Sequence, residues 1–579
     1  MTRGGIGSRI LAGCSRLVAV LALVALVGAL PWLSRRDPAR SILRARDGER
    51  DPDPAALAAI REQLRLDDGP LALSGRWLVG LARGDLGLSW VSGRPVAPAV
   101  WSALGVSLTL MGAALAVALA VAALLVLRGL WRGGSTQRGG ALGAALTSVP
   151  EFLLGTALLL VVAVWLRWAP PFGWSGPEHV VLPALAMGIP AGGLLGRLAD
   201  DAIPGAFREP WVRTWTASGL PRRTIAYGVL RRCLPALFPQ LTIVVVGLTG
   251  GAVAVEVLFA IPGLGRLALG AAAAQDLPLV QGAVLALALL AGGAGVLAAA
   301  VQRLALGPAL EAAGLQPPPP AARPADRAAW LVPAVLGGLL LTAVLAGLSR
   351  DPTHVDTTLR LAAPDWDAPL GRDALGRDLL ARLGHGALRT VGIAAAVSAA
   401  ALAVGVAAGL VPGLTRGAAE LANAVPPVLV GLLTAAALGP SSGGAAVAVA
   451  ATAWAPLALH IADLVREELA SGYVQACRML GASRIRILAT HVLPGVLPPV
   501  ARHAVLRLPG VALAIASLGF VGLGAQPPTP EWGRILAEAM PYVERAPWAP
   551  LTAAGALALL GAFALAASTA VSWRASGRP

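Results

Sequence analysis

Cysteine and histidine are the side chains here best suited to metal or nucleophilic chemistry, and their spacing supports neither. The three cysteines, Cys14, Cys233 and Cys477, form no C-x-x-C pair, and the six histidines stand singly. Structural zinc sites need closely spaced, repeated ligands, so no metal ligand is assigned. An odd cysteine count also argues against a disulfide framework. Serine, histidine and aspartate all occur, but no stretch sets a nucleophile beside a base or pairs two carboxylates for acid–base work. Lysine is absent, so all 46 basic residues are arginine. A phosphate-cradling P-loop needs its lysine, and a Schiff base needs an amine. The sequence therefore reads as a non-enzyme without a cofactor. If ATP drives the protein, a separate subunit hydrolyses it.

What does stand out is a polar, arginine-bearing island that occurs twice. One copy is WVRTWTASGLPRRTIAYGVLRRCLPALFP at 211–239, and the other is YVQACRMLGASRIRILATHVLPGVLPP at 473–499. Their glycines, Gly219 and Gly481, lie 262 residues apart. Such islands are suited to gripping another protein.

The elements around the islands are apolar. Hydrophobic residues make up 56% of the chain and charged residues 13%, about half the charge of an average soluble domain. The apolar residues come in runs near the length of a membrane helix. The fold class expected is therefore an all-α polytopic membrane protein. The net charge of +15 fits arginines held in cytoplasmic loops. It lacks the interleaved aromatics of a nucleic-acid binder.

Twelve spans are expected, at about 17–33, 105–127, 141–165, 180–198, 235–259, 277–301, 330–348, 390–410, 418–438, 445–462, 504–523 and 551–571. Residues 34–100 read as an extracytoplasmic segment with a short amphipathic helix at 54–66, although the six arginines at 35–50 oppose the charge rule. The tetraproline at 317–320 is a stiff spacer. It divides the chain into a first half (1–301), a linker (302–329) and a second half (330–579). An even span count puts both termini, the linker and both islands (200–235 and 464–499) in the cytoplasm of a bacterium, with the chain in its inner membrane.

Within each island the pattern is helix, tight turn, helix. Leu469, Tyr473, Cys477 and Leu480 make one apolar stripe, as do Ile203, Phe207, Trp211 and Trp215. Pro210 suits a first helical turn, the two glycines suit a left-handed stop, and Ser483 suits a cap. An apolar stripe can pack against its own bundle or enter a groove on a partner. The residues alone leave both open.

The islands resemble the EAA loops of ABC-transporter inner-membrane permeases, and the resemblance runs along nearly the whole chain. The first half is similar to the B-type permease of dipeptide, oligopeptide and nickel importers, through DPARSIL (37–43), LARGDLGLSWVSGRPV (81–96), VEVLFAIPGLGRL (255–267) and DLPLVQG (276–282). The second half is similar to the C-type permease, through PLGRDALGRDLLARLGHGA (369–387), SLGFVGLGAQPPTPEWG (517–533) and APW (546–548). The resemblance implies the type I importer fold of two six-helix halves, here fused into one chain. It implies two ATP-hydrolysing subunits and an extracytoplasmic solute-binding protein as partners, with a peptide-like or other small solute as cargo. It assigns coupling to the ATPase to Trp211, Val212, Arg213, Trp215, Ala217 and Gly219, and to Tyr473, Val474, Gln475, Ala476, Cys477, Gly481 and His491. The sequence departs from the family at the Glu-Ala-Ala positions, which read Arg213-Thr214-Trp215 and Gln475-Ala476-Cys477. It departs again at Gly228, where histidine is usual and where the second half has His491.

Glu256 lies at the end of the fifth span, where a charge must face a partner or water. With Gln526 of the QPPTP stretch it is a pathway or gate candidate. Asp373, Arg377 and Asp378 read as a loop-stabilising charge cluster. Gly522 and Gly524 read as close helix contacts. Two other functions fit a chain of this composition. One is an ion-driven secondary transporter, which needs ionisable relays in mid-membrane. The other is a non-transporting scaffold.

Overall fold

Lipid offers a backbone N–H or C=O no partner, so apolar runs that enter it must bond internally as helices. The computed structural model describes residues 21, 22, 24–33, 39, 40, 42, 43, 54–131, 142, 143, 145–147, 149–306 and 330–575. Among these the regular elements are helical, and two isolated bridges, Leu88 with Pro95 and Arg372 with Asp378, are the recorded strand pairings.

Nine helices are long and apolar enough to cross a membrane, or ten if a bent pair counts as one. The difference from the twelve expected has three sources. In the run at 17–33, residues 17–20 and 23 lie outside the described residues, as do Cys14 and residues 307–329 of the linker at 302–329. The run at 141–165 is broken at Pro150, which leaves the shorter Glu151–Trp165 helix. Pro426 and Pro427 break the run at 418–438 into two helices bent by 90°. A proline removes a ladder donor, which is why both breaks fall there. The amphipathic helix at 54–66 is present as Pro54–Leu64.

Two units of contact form, and each draws on both halves of the sequence. Unit 1 contains Met1–Ala99, Ala268–Leu285 and Gly386–Arg534. Within it Ala39, Ile42, Ile60, Trp90 and Leu277 share an apolar cluster. The carboxylate of Asp276 accepts from the Ser89 hydroxyl and from Trp90 N at 3.0 Å. Gly405 and Gly409 lie against Leu457, Ala458 and Ile461 so closely that a Cβ at either would fall within 2.9 Å of a neighbour.

Unit 2 contains Val100–Leu267, Ala286–His385 and Ile535–Pro579. Here Gly188, Gly192 and Gly196 form a stripe on Glu178–Phe207. A Cβ on any of them would meet Val96–Trp131 at 2.5–2.6 Å. Small residues let helices approach where lipid supplies no hydrophobic drive. Gly347 and Gly384 allow a similar approach of Leu331–Leu348 to Leu379–Gly409. Gly522 differs from expectation. It meets no neighbour and instead closes its helix at φ +93°, while Gly524 does abut Gly519.

The charge cluster expected from Asp373, Arg377 and Asp378 is larger than the sequence suggested. Asp373 Oδ2 accepts from Arg377 Nε and from an Arg382 amino group, both at 2.7 Å. Glu538 Oε2 accepts from the same two guanidiniums at 3.1 and 2.8 Å. Asp378 pairs instead with Arg350 at 2.8 Å. Two acids and two guanidiniums thus balance in a buried square, and the Arg382 side chain is 1% exposed. Removing a buried partner is strongly destabilising. Arg382→Ala is expected to cost about 3 kcal/mol, read as a lower melting temperature of the purified full chain in detergent. An unchanged melting curve would show that the square is not a fixed part of the fold.

Candidate functional site: two coupling loops and two helix clasps

Both islands fold alike from unlike residues. The short helices are Pro210–Ala217 and Gly472–Met479. Pro210 begins the first, where its missing N–H costs nothing. Gly219 and Gly481 follow at φ +74° and +84°, a conformation that an L side chain adopts only with strain. The closing bonds match: Leu220 N donates to Trp215 O and Ala482 N to Cys477 O, each at 3.1 Å. Ser483 caps the next helix through Arg486 N.

Much of each apolar stripe packs against its own unit. Val212 (6% exposed) joins Ile203, Ile225 and Val229 in one cluster, with Phe207, Trp211 and Trp215 packed on it. Val474 (0%) joins Ile461, Val465, Ile487 and Val492, with Leu469 and Cys477 on the edge. Val212 and Val474 are buried within their own units, whereas Leu480 of the same stripe is 86% exposed. The outward faces carry Arg213, Thr214, Thr216, Ala217 and Gly219 in one loop. In the other they carry Tyr473, Gln475, Ala476, Arg478, Met479, Leu480 and Gly481. Met479 and Ile485, outside the stripe, are exposed large apolar residues that the stripe did not reveal.

The two departures at Trp215 and Gly228 are one compensated set. Trp211 and Trp215 stack edge to face with centroids 4.9 Å apart. A Cβ on Gly228 would lie 2.9 Å from Trp215 and 3.2 Å from Trp211. In the second loop His491 occupies this space. Its ring meets Tyr473 edge-on at 5.9 Å, and its Nε2 lies 3.7 Å from Cys477 Sγ. Large-large-small in one loop thus replaces medium-small-medium in the other. The register also shifts. Ile225 and Ile487 are buried 262 residues apart, but Val229 and Val492 are 263 apart. The π-helical turn Leu488–Val492 absorbs the extra residue.

A second paired design lies at the opposite ends of these helices. In the first half Ser107 Oγ donates to Glu256 Oε1 at 2.6 Å. Glu256 Oε2 takes Gly265 N at 2.7 Å and Arg266 N at 3.2 Å, and Leu264 N donates to Ser107 Oγ at 2.9 Å. In the second half Thr390 Oγ1 donates to Glu531 Oε1 at 3.2 Å. Gly533 N and Arg534 N donate to Glu531 at 3.0 Å each, and Trp532 N donates to Thr390 Oγ1 at 3.3 Å. In each half one carboxylate and one hydroxyl satisfy three N–H groups at the start of a short helix, Leu264–Ala273 or Trp532–Ala539. Glu256 and Glu531 are 1% and 2% exposed. Gly263 and Gly519 leave the room, since a Cβ on either would strike the carboxylate. Ser107, Thr390 and Glu531 were not foreseen. The repeated Gly-Arg pair, 265–266 and 533–534, was the available signal. Gln526 is exposed, and its side-chain amide donates to Gly522 O and Gly524 O, tying its own loop.

Two outcomes follow from these geometries. Gly228→His is expected to destabilise the first loop by about 1–3 kcal/mol through overpacking. Adding Trp215→Cys should recover most of that loss in a double-mutant melting cycle, and additive losses would refute the compensation. Burial pushes the Glu531 carboxyl up to about 7. The folded chain then keeps this proton to higher pH than the unfolded chain. The stabilisation is full below the ordinary carboxylate range and falls as pH rises toward 7. Melting curves from pH 5 to 7.5 should lose on the order of 1–3 kcal/mol, and Glu531→Gln should flatten that slope. Equal slopes would overturn it.

Comparison with known proteins supplies the family. Residues 129–306 and 392–574 each match the binding-protein-dependent transport system inner membrane component. A di/tripeptide transport system permease protein, DppC of Pseudomonas aeruginosa, is 34% identical over 235 residues, covering 37% of this chain and 78% of that protein. The metal-staphylopine import permease CntB of Staphylococcus aureus is 29% identical over 264 residues, 45% of this chain and 84% of its own. The glutathione transport permease GsiC of Salmonella paratyphi A is 30% identical over 285 residues, 46% and 88% respectively. Two matched regions cover more than half of the chain, so this multi-pass membrane protein belongs to the binding-protein-dependent transport system inner membrane components and carries that domain twice in one polypeptide.

Proposed function

We propose that the chain is a complete translocation path, with a B-type half at 1–301 and a C-type half at 330–579 joined by the proline-rich segment at 302–329. It carries a peptide or related small solute inward. An extracytoplasmic solute-binding protein delivers the solute, and two separate ATPase subunits supply the energy. Both termini and both islands lie on the cytoplasmic side. The observation that carries this reading is the pair of matched helix–glycine–helix loops, each with an outward face that nothing within its own unit covers.

The mechanism divides into grip and lever. Closure of the ATPase dimer pushes on the faces around Arg213 and Gln475. Val212 and Val474, locked into their bundles, pass that push to the long helices instead of letting the loops slide. At the far ends the Glu256 and Glu531 clasps tie the first turns of the short helices to those same bundles. The access state changes because the two states differ in their contacts with the ATPase. Arg213 and Thr216 in one loop correspond to Gln475 and Arg478 in the other. The apolar Met479 and Leu480 replace Ala217 and Ser218. The first loop therefore suits a polar groove and the second an apolar one.

The test uses the full transporter in proteoliposomes. Gly219→Val with Gly481→Val forces a branched side chain into the left-handed region, at about 1–2 kcal/mol per site. ATP-driven uptake of alanyl-alanine is expected to fall to background, while the chain still inserts as one 58.3 kDa band. Undiminished uptake would sink the coupling assignment, and two stable half-size bands would sink the fused path.

A further inference from the structure

The second half holds a cavity of about 450 Å³ that the coupling loops and clasps do not explain. Asn423, Pro427, Val449, Thr452, Arg507 and Val511 are among its lining residues. The volume lies within the roughly 300–1,000 Å³ range of small-molecule sites. Its walls are mostly apolar, with few polar groups, as such sites are.

Arg507 is the exception in that wall. It sits inside the candidate span Ile485–Val521, fourteen residues before its end, or about 21 Å along the helix. That position is inside a candidate membrane span. The side chain is half-buried, and no hydrogen bond or carboxylate pairs with it among the described residues. Its neighbour one turn away, His503, stacks with His460 at a centroid distance of 5.1 Å. That turn adds ring nitrogens, not a counter-charge. A cation at such depth is costly unless it faces water or an anion. Packing does not require it either. At the corresponding position 263 residues earlier, the first half has Val244, 5% exposed.

We infer that Arg507 is the carboxylate-binding residue of a solute subsite in this cavity. A guanidinium presents its donors as a planar fork that matches a carboxylate. Asn423 adds an amide at the rim, and Val449 and Val511 offer apolar wall to a short side chain. The cargo is thus a small solute with a free carboxylate, such as a short peptide read at its C-terminus. The inference rests on the importer reading for its cargo, but the binding site itself does not.

Two measurements separate these. In the first, the purified full chain in nanodiscs is treated with phenylglyoxal, and Arg507 modification is followed by peptide mass mapping. N-acetylalanine is expected to slow modification several-fold, and N-acetylalanine amide is not. Equal rates with both, or an Arg507 that the reagent never reaches, would overturn the site. In the second, the complete transporter takes up alanyl-alanine and alanyl-alanine amide. Arg507→Gln should lower uptake of the acid by about tenfold or more and leave uptake of the amide unchanged, with Arg507→Lys intermediate. Equal loss for both probes would make Arg507 structural and overturn the proposal. Protection of Arg507 without wild-type uptake of either probe would keep the carboxylate site and refute the peptide-importer reading.

Discussion

A helix that begins where water is scarce has three or four N–H groups with nothing to donate to. Each half of this protein meets that constraint with a buried carboxylate and a hydroxyl from a neighbouring helix. Glu256 reaches back from the end of a long helix, while Glu531 stands one residue before the helix it serves. The donors are the same and the acceptor arrives by different routes. The constraint is therefore on the helix start, not on a residue position. Once that start is satisfied, the first turn of the short helix is tied to the long helices beside it.

The two helix–glycine–helix loops show the same relation between constraint and residue. The backbone path is held by a left-handed glycine and a buried valine, and these match across the two halves. Around that path the side chains exchange volume freely: two tryptophans and a glycine in one loop, and tyrosine, cysteine and histidine in the other. Interiors are close-packed, so a large residue in one place requires a small one opposite. Trp215 looked like a departure only while Gly228 was counted separately.

Much of this was legible in the sequence, for physical reasons. Long apolar runs, the glycine after each short helix, Pro210 and Ser483 are local signals, and local signals survive without a structure. Four things were not legible. Proline breaks at Pro150 and Pro426 look like tolerated kinks until the helices turn. The inward direction of Val212 and Val474 depends on which flank of a stripe meets the bundle, and periodicity gives a face without giving its neighbour. The clasps join residues 149 and 141 positions apart, and nothing in a single sequence pairs Ser107 with Glu256. Arg507 was passed over because one arginine in a basic chain is unremarkable until its surroundings are seen.

The interleaving of the two units bears on how the chain is made. The segment at 54–99 is made before residues 386–534, with which it shares a unit. The helix Pro427–Leu438, which packs on Leu30–Leu33, arrives some four hundred residues later. During that interval the early surface must wait in the bilayer or be held by the insertion machinery. Encoding both halves in one polypeptide ensures that the missing partner follows on the same chain, at fixed stoichiometry and high effective concentration. The two matched regions thus reach the membrane as one chain.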